Sequence, residues 1–216
     1  MQGSKAPFNR PSIPLGTSRN HIYERHLSSF RGRAPVVVEI GVRHGGSLNM
    51  WREYFGPGTM IHGIDTDARC QRFEEKDVRI HLADQADPAF WAAFRTMVPR
   101  VDIVIDDGGH HMKQQRVAHH EMFPHLSVGG VYVCEDVQTS YWREYNGGFR
   151  KPDTFVEFAK RLVDCINAWH SRDENSFRIN DITTMLSGLH FYNNMIVFER
   201  GHVERSEPRE TGSIRI

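Results

Sequence analysis

Between residues 35 and 134 the chain alternates short β-branched apolar runs with longer segments whose apolar positions recur at helical spacing. Pro35-Val36-Val37-Val38-Glu39-Ile40-Gly41-Val42 has the near-continuous apolar character of a strand covered on both faces. A helix through Met50, Trp51 and Tyr54 opens at Ser47 and is stopped by Gly56-Pro57-Gly58. The pattern then repeats, with strands over residues 60–65, 78–83, 101–105 and 131–134. The intervening helices are a polar one through Arg72-Phe73-Glu74-Glu75, one over 87–97 with Phe90, Trp91 and Phe94 on its apolar face, and one over 112–123. Strands joined through helices require parallel, right-handed crossovers. A long helix over 154–170 comes next, and then strands over 185–191 and 195–199. Only Tyr192-Asn193-Asn194 separates these last two, which forces an antiparallel pair. The pattern predicts an α/β fold: a doubly wound, mostly parallel, seven-stranded sheet with an antiparallel strand at one edge.

The flanks differ in texture. Residues 1–20 have no sustained period and read as an irregular arm able to act as a lid, followed by a short helix over 22–30. Residues 202–216 read as a polar tail, which leaves 21–201 as one domain. A length of 216 residues with 39% hydrophobic content suits a single core. Lys plus Arg and Asp plus Glu balance at 27 each, so no charge surplus points to nucleic acid or a membrane surface as partner. Three cysteines without a CxxC pair, no apolar run of membrane-spanning length and the polar start Met1-Gln2-Gly3-Ser4-Lys5 lead us to expect a reducing, cytoplasmic setting.

In an open α/β sheet, ligands bind beyond the carboxyl ends of the strands. The first such end, Glu39-Ile40-Gly41-Val42-Arg43-His44-Gly45-Gly46-Ser47, is a glycine-rich turn into a helix, which allows close approach to backbone N–H groups. Its spacing is neither G-x-G-x-x-G nor a phosphate-binding loop; a plain tight turn is the alternative. The second strand ends at Asp65, able to accept from ribose hydroxyls, and the third at Asp84-Gln85, suited to an adenine edge. Asp87 before Pro88 is the better candidate for a helix cap.

The fourth and fifth ends carry acids. Asp106-Asp107-Gly108-Gly109-His110-His111 and Glu135-Asp136 belong to strands expected to be neighbours, so Asp107, Glu135 and Asp136 can converge. Carboxylates so close repel unless a cation intervenes, and oxygen-only ligands favour magnesium, with calcium or manganese as alternatives. Strict alternation would send Glu135 and Asp136 to opposite faces, so convergence requires the chain to leave regular strand geometry there.

Taken in order, these motifs, together with Val137-Gln138-Thr139-Ser140-Tyr141-Trp142, make residues 21–201 resemble class I S-adenosylmethionine-dependent methyltransferases. Within that class the resemblance is to the metal-dependent sugar O-methyltransferases of macrolide biosynthesis, the mycinamicin and tylosin type. It implies a Rossmann-like fold with S-adenosylmethionine and Mg2+ as cofactors. Glu39, Gly41, Gly45, Ser47, Asp65, Asp84, Gln85 and Asp106 would lie at the cofactor, and Asp107, Glu135 and Asp136 at the metal. His110 would be the general base, with Asp107 orienting it or replacing it. The implied acceptor is a hydroxyl of a sugar or glycosylated natural product, a small molecule or glycan, activated by the ion while His110 takes its proton.

Tyr141 and Trp142 are candidates for the wall of the acceptor pocket, and Tyr23 for a cover over the cofactor; packing is the competing role for all three. His119, His120 and His125 read as solvated or helix-end residues. A catechol-like diol acceptor and a non-catalytic cofactor-binding protein are the alternatives in function. Assembly is left open, a homo-oligomer included.

Overall fold

The computed structural model describes residues 19–173, 175–207 and 211–212. Most of the expected arm, with its role as a lid, and much of the expected tail lie outside the described residues. The first element among the described residues is helix α1 (Asn20–Leu27), followed by strand β1 (Val36–Ile40). Next come α2 (Gly46–Phe55), β2 (Met60–Asp65), β3 (Val78–Leu82), α3 (Pro88–Met97), β4 (Val101–Asp106), α4 (Met112–Met122) and β5 (Leu126–Glu135). The remainder is α5 (Phe155–Asn167), α6 (Asp181–Met185), β6 (Leu186–Tyr192) and β7 (Met195–Arg200).

The seven strands form one sheet in the order β3-β2-β1-β4-β5-β7-β6. The pairs β1–β2, β1–β4, β2–β3 and β4–β5 are parallel, whereas β7 runs antiparallel to both β5 and β6. The mixed edge expected from the short 192–194 connection is therefore present. Two differences have local causes. The segment through Arg72 is a 3-10 helix over Ala68–Phe73, started by Asp67, whose side chain accepts from Arg69 N. Strand β5 begins five residues earlier than the apolar run, because Leu126 already pairs with Val101 and an irregularity between Val101 and Ile103 absorbs Gly129-Gly130.

Each sheet face is covered by its own apolar layer. On one side Trp91, Phe94, Met122, Phe123, Phe155 and Phe198 pack together. On the other, Leu27, Trp51, Tyr54 and Phe55 cover Val37, Ile61, Ile103 and Val133. Caps expected from the sequence are present: Asp87 accepts from Ala89 N at 2.9 Å with Pro88 in the first turn of α3, and Thr154 caps α5.

His119 departs from its expected solvated position. It is 1% exposed, stacked on Phe123 with ring centroids 5.1 Å apart, and surrounded by Tyr132, Phe155, Phe158 and Phe198. The helical period places it on the inner face of α4, and both ring nitrogens lack a hydrogen-bond partner. His120 is exposed, and His125 Nε2 lies 2.7 Å from Val98 O, the helix-end contact anticipated for it.

Burial lowers the His119 pKa from 6.5 to about 3. The unfolded chain therefore takes up a proton that the fold refuses. This contribution to stability is fully present above pH 6.5 and is lost as pH falls toward 3. His119→Met, which keeps the site apolar without a titratable ring, is expected to flatten the stability profile in this window, measured by urea unfolding at stepped pH.

Candidate active site

The carboxyl ends of β1 and β4 lie side by side, and the sheet order reverses direction between them. This is the point at which flanking loops part to leave a crevice. A cavity of about 420 Å³ opens here, lined by residues that include Gly41, Asp65, Gln85, Asp107, His110 and Asp136. Its size falls within the range of small-molecule sites.

The glycine turn is built by close backbone contact. Gly41 has φ +92°, and a Cβ there would lie 2.2 Å from the Asp107 carbonyl oxygen. Gly45, at φ +72°, caps α2, and a Cβ would strike the Phe73 ring at 2.8 Å. Asp65 draws the turn toward β2. Its Oδ2 accepts from Val42 N and Arg43 N, and its Oδ1 from Asp67 N, each at 2.9 Å. Burial works to raise this carboxyl, but the N–H groups of Arg43, Asp67 and Val42 outweigh it and hold the pKa below its usual value. Asp65 thus lines the cavity as an anion whose oxygens also organise the loop.

Gln85 and Asp106 form a second support. Gln85 Nε2 donates to Asp106 Oδ1 at 2.9 Å, and its Oε1 accepts from Gly109 N at 2.8 Å. Trp91 Nε1 donates to the Gln85 carbonyl at 2.9 Å. Asp106, fully buried, also accepts from the Tyr132 hydroxyl at 2.8 Å. It is absent from the cavity wall and fixes Gln85, which is on it. Asp84 is likewise off the wall, its Oδ1 accepting from Ala86 N at 2.8 Å. Glu39 and Ser47 are off the wall as well. Glu39 is 2% exposed, with Oε2 unpartnered, and burial pushes its pKa up to about 8 while Ser47 and Trp51 oppose that shift.

The acidic ends converge. β5 ends at Glu135, and Asp136 takes φ +49°, ψ +36°, the departure from strand geometry that convergence requires. His110 is also left-handed, at φ +56°, its carbonyl accepting from Thr139 Oγ1 at 3.0 Å. Backbone strain of this kind in non-glycine residues gathers at functional sites. Asp107, His110 and Asp136 each present a ligand atom, all within 4.8 Å of one another. His110 Nε2 stands 3.7 Å from Asp136 Oδ2 and 3.9 Å from Asp107 Oδ1. Burial lowers the His110 pKa more than the charges of Asp136 and Asp106 raise it, which favours the neutral ring.

Glu135 faces elsewhere. It accepts from the Tyr23 hydroxyl and from the Arg19 guanidinium, whose other nitrogen donates to Asp136. Burial and the charge of Asp107 raise Glu135 to about 7 against these partners. Burial and the charge of Asp136 raise Asp107 to about 6. Arg19, more than a hundred positions from its acids, carries no motif by which sequence reading could find it. Gln115, also missed, is fully buried and donates to the Glu135 carbonyl at 3.1 Å. Tyr23, anticipated as a cover over the cofactor, is absent from the cavity wall and donates its hydroxyl to Glu135 from α1. Tyr141 and Trp142 do not reach the cavity wall. They are 47% and 44% exposed, beside a surface group in which Trp142 meets Tyr145 and Tyr145 meets His111.

Comparison with known proteins shows which sequences and folds the chain is similar to. The chain is 40% identical over 202 residues to the 8-demethyl-8-alpha-L-rhamnosyl tetracenomycin-C 2'-O-methyltransferase of Streptomyces olivaceus, covering 87% of this chain and 52% of that protein. It is 33% identical over 190 residues to the mycinamicin VI 2''-O-methyltransferase of Micromonospora griseorubida, covering 83% and 47%. Among solved structures, the MycE methyltransferase of the mycinamycin pathway, in complex with Mg and SAH, superposes with a TM-score of 0.81 at 29% identity, over 93% of this chain and 55% of that one. No family model matches. The chain spans about half the length of the curated relatives it matches.

Gly41→Ala is expected to destabilise the fold by about 2–4 kcal/mol, from the left-handed backbone and the clash with Asp107 O. Chemical unfolding measures this, and Gly46→Ala, where a Cβ meets nothing within 4 Å, is the control.

Proposed function

We propose that this chain, homologous to sugar O-methyltransferases and sharing their fold, acts as a magnesium-dependent S-adenosylmethionine O-methyltransferase on a sugar hydroxyl of a glycosylated natural product. The observation that carries the reading is the meeting of Asp107, His110 and Asp136 beside a cavity at the reversal point of the sheet. When bound, magnesium supplies Lewis acidity at the acceptor hydroxyl and the sulfonium supplies the methyl group.

Asp107 and Asp136 offer hard oxygen ligands, the donor type magnesium prefers. The bridging of Glu135 and Asp136 by Arg19 supports the fit, because the acids already hold a positive charge between them. Glu135, held by Arg19 and Tyr23, would be the third acid to hold a divalent ion, and would have to exchange the guanidinium for it. His110, whose neutral form burial favours, accepts the hydroxyl proton at Nε2, the nitrogen that faces Asp107 and Asp136. Gly41, Asp65 and Gln85 line the part of the cavity suited to a nucleoside, with Asp65 accepting from ribose hydroxyls through lone pairs its backbone donors leave free. Asp106 keeps Gln85 in orientation. Tyr141 and Trp142 stand as a half-exposed aromatic ledge for the acceptor.

A panel of glycosides and catechols assayed with labelled cofactor tests the acceptor: methylation of catechols alone removes the sugar. Asp136→Asn is expected to weaken Mg2+ binding by at least about tenfold while sparing cofactor affinity, both read by calorimetry. Asp65→Asn is expected to do the reverse, and equal losses in both variants would undo the division of roles. His110→Ala is expected to lower kcat by about 100-fold or more with cofactor affinity unchanged. Full turnover in that variant moves the base elsewhere.

A further inference from the structure

A second group of metal-type ligands lies outside the cleft, where α1 meets the β6–β7 hairpin. His26 on α1, His190 on β6 and Glu199 on β7 each offer a ligand atom, all within 4.8 Å of one another. His26 Nδ1 lies 2.7 Å from Glu199 Oε1, and His190 Nε2 lies 3.4 Å from the same oxygen. Tetrahedral zinc bonds of about 2.0–2.1 Å separate their ligand atoms by roughly 3.3 Å, so only small side-chain movements bring these three onto one ion.

Four features point beyond a simple hydrogen-bond network. His190 Nε2 is buried and has no hydrogen-bond partner; Glu199 is near it without the alignment of a bond. His26 is 6% exposed, and its Nε2 lies 2.8 Å from the Tyr192 hydroxyl. Without an ion Nδ1 donates to Glu199 and Nε2 accepts from the Tyr192 hydroxyl; an ion at Nδ1 would displace that proton, and Nε2–H would then donate to the Tyr192 oxygen, the outer-partner arrangement of metal-bound histidines. A Cβ on Gly188 would stand 2.6 Å from Glu199 Oε2 and 3.1 Å from His190 Nε2, so the glycine leaves the group its room. The His190 and Glu199 side chains remain 29% and 38% exposed, which leaves an open side for ion entry and a solvent ligand.

We propose that His26, His190 and Glu199 form a transition-metal site, zinc by ligand type, that clamps α1 to the edge hairpin. Imidazole nitrogens and one carboxylate suit zinc and its neighbours, in contrast to the oxygen donors of the cleft. Burial keeps His26 below its usual pKa, in the neutral form that ligates. The clamp braces the helix whose Tyr23 hydroxyl donates to Glu135. It does not depend on which reaction the cleft performs.

Cobalt(II), titrated into the intact chain with Mg2+ in excess, is the probe. One equivalent is expected to give visible ligand-field bands of a nitrogen-coordinated ion. Affinity should fall by more than about 100-fold in His190→Ala, and by about 10–100-fold in Tyr192→Phe, the loss typical of an outer partner. The bands should be unchanged in Asp136→Asn. Glu199→Gln carries the test if His190→Ala fails to fold. Absence of bands in the wild-type chain overturns the site. So do bands that keep their affinity in both ligand variants, or bands lost only in Asp136→Asn.

Discussion

Like charge brought together at the ends of two parallel strands is the constraint around which the cleft is organised. β4 and β5 pair in register, Asp106 opposite Cys134, so the residues just beyond each strand emerge at the same rim. Both of these exits are acidic, Asp107 from one strand and Glu135-Asp136 from the other. Burial and mutual repulsion raise Asp107 and Glu135 well above ordinary carboxylate values, and positive charge is what relieves them. Arg19 and the Tyr23 hydroxyl supply part of that relief from the opposite end of the chain.

The surrounding architecture reads as the means of holding this arrangement. Asp136 and His110 occupy left-handed backbone, an unfavourable state for side-chain-bearing residues that persists only where neighbours over-determine it. Those neighbours are identifiable. Thr139 binds the His110 carbonyl, Gln115 binds the Glu135 carbonyl, and Gln85 bridges Asp106 to Gly109. The groups behind the cavity wall are as buried and as specific as those on it. Their role is positional: a buried Asp106 with two good donors makes a rigid mount for an amide.

Much of this was legible in order along the chain. The alternation of apolar runs and helical spacing located six of the seven strands to within about two residues: in β1 to β4 burial in a parallel sheet leaves a local apolar signature, and β6 and β7 are marked by the short connection that makes them a hairpin. β5 was short by five residues at its start, since its first half pairs through a glycine-containing irregularity that carries no such signature. Gly41, Asp65, Gln85, Asp107 and Asp136, all legible as strand-end residues, line the cavity because an open parallel sheet parts its loops at the carboxyl ends of its strands. His119 was misjudged because polar residue type outweighed helical phase.

The sequence by itself determined the fold class, the acidic and glycine-rich strand ends, and the resemblance that those motifs carry, because each rests on residues close in the chain. Only the tertiary structure decided which side chains face the cavity and which stand behind it. It turned Glu135 toward Arg19 and Tyr23, set Asp106 beneath Gln85, and brought His26 to His190 and Glu199. These pairings join segments far apart in sequence through packing, and neither periodicity nor motif spacing encodes an orientation that only folding selects.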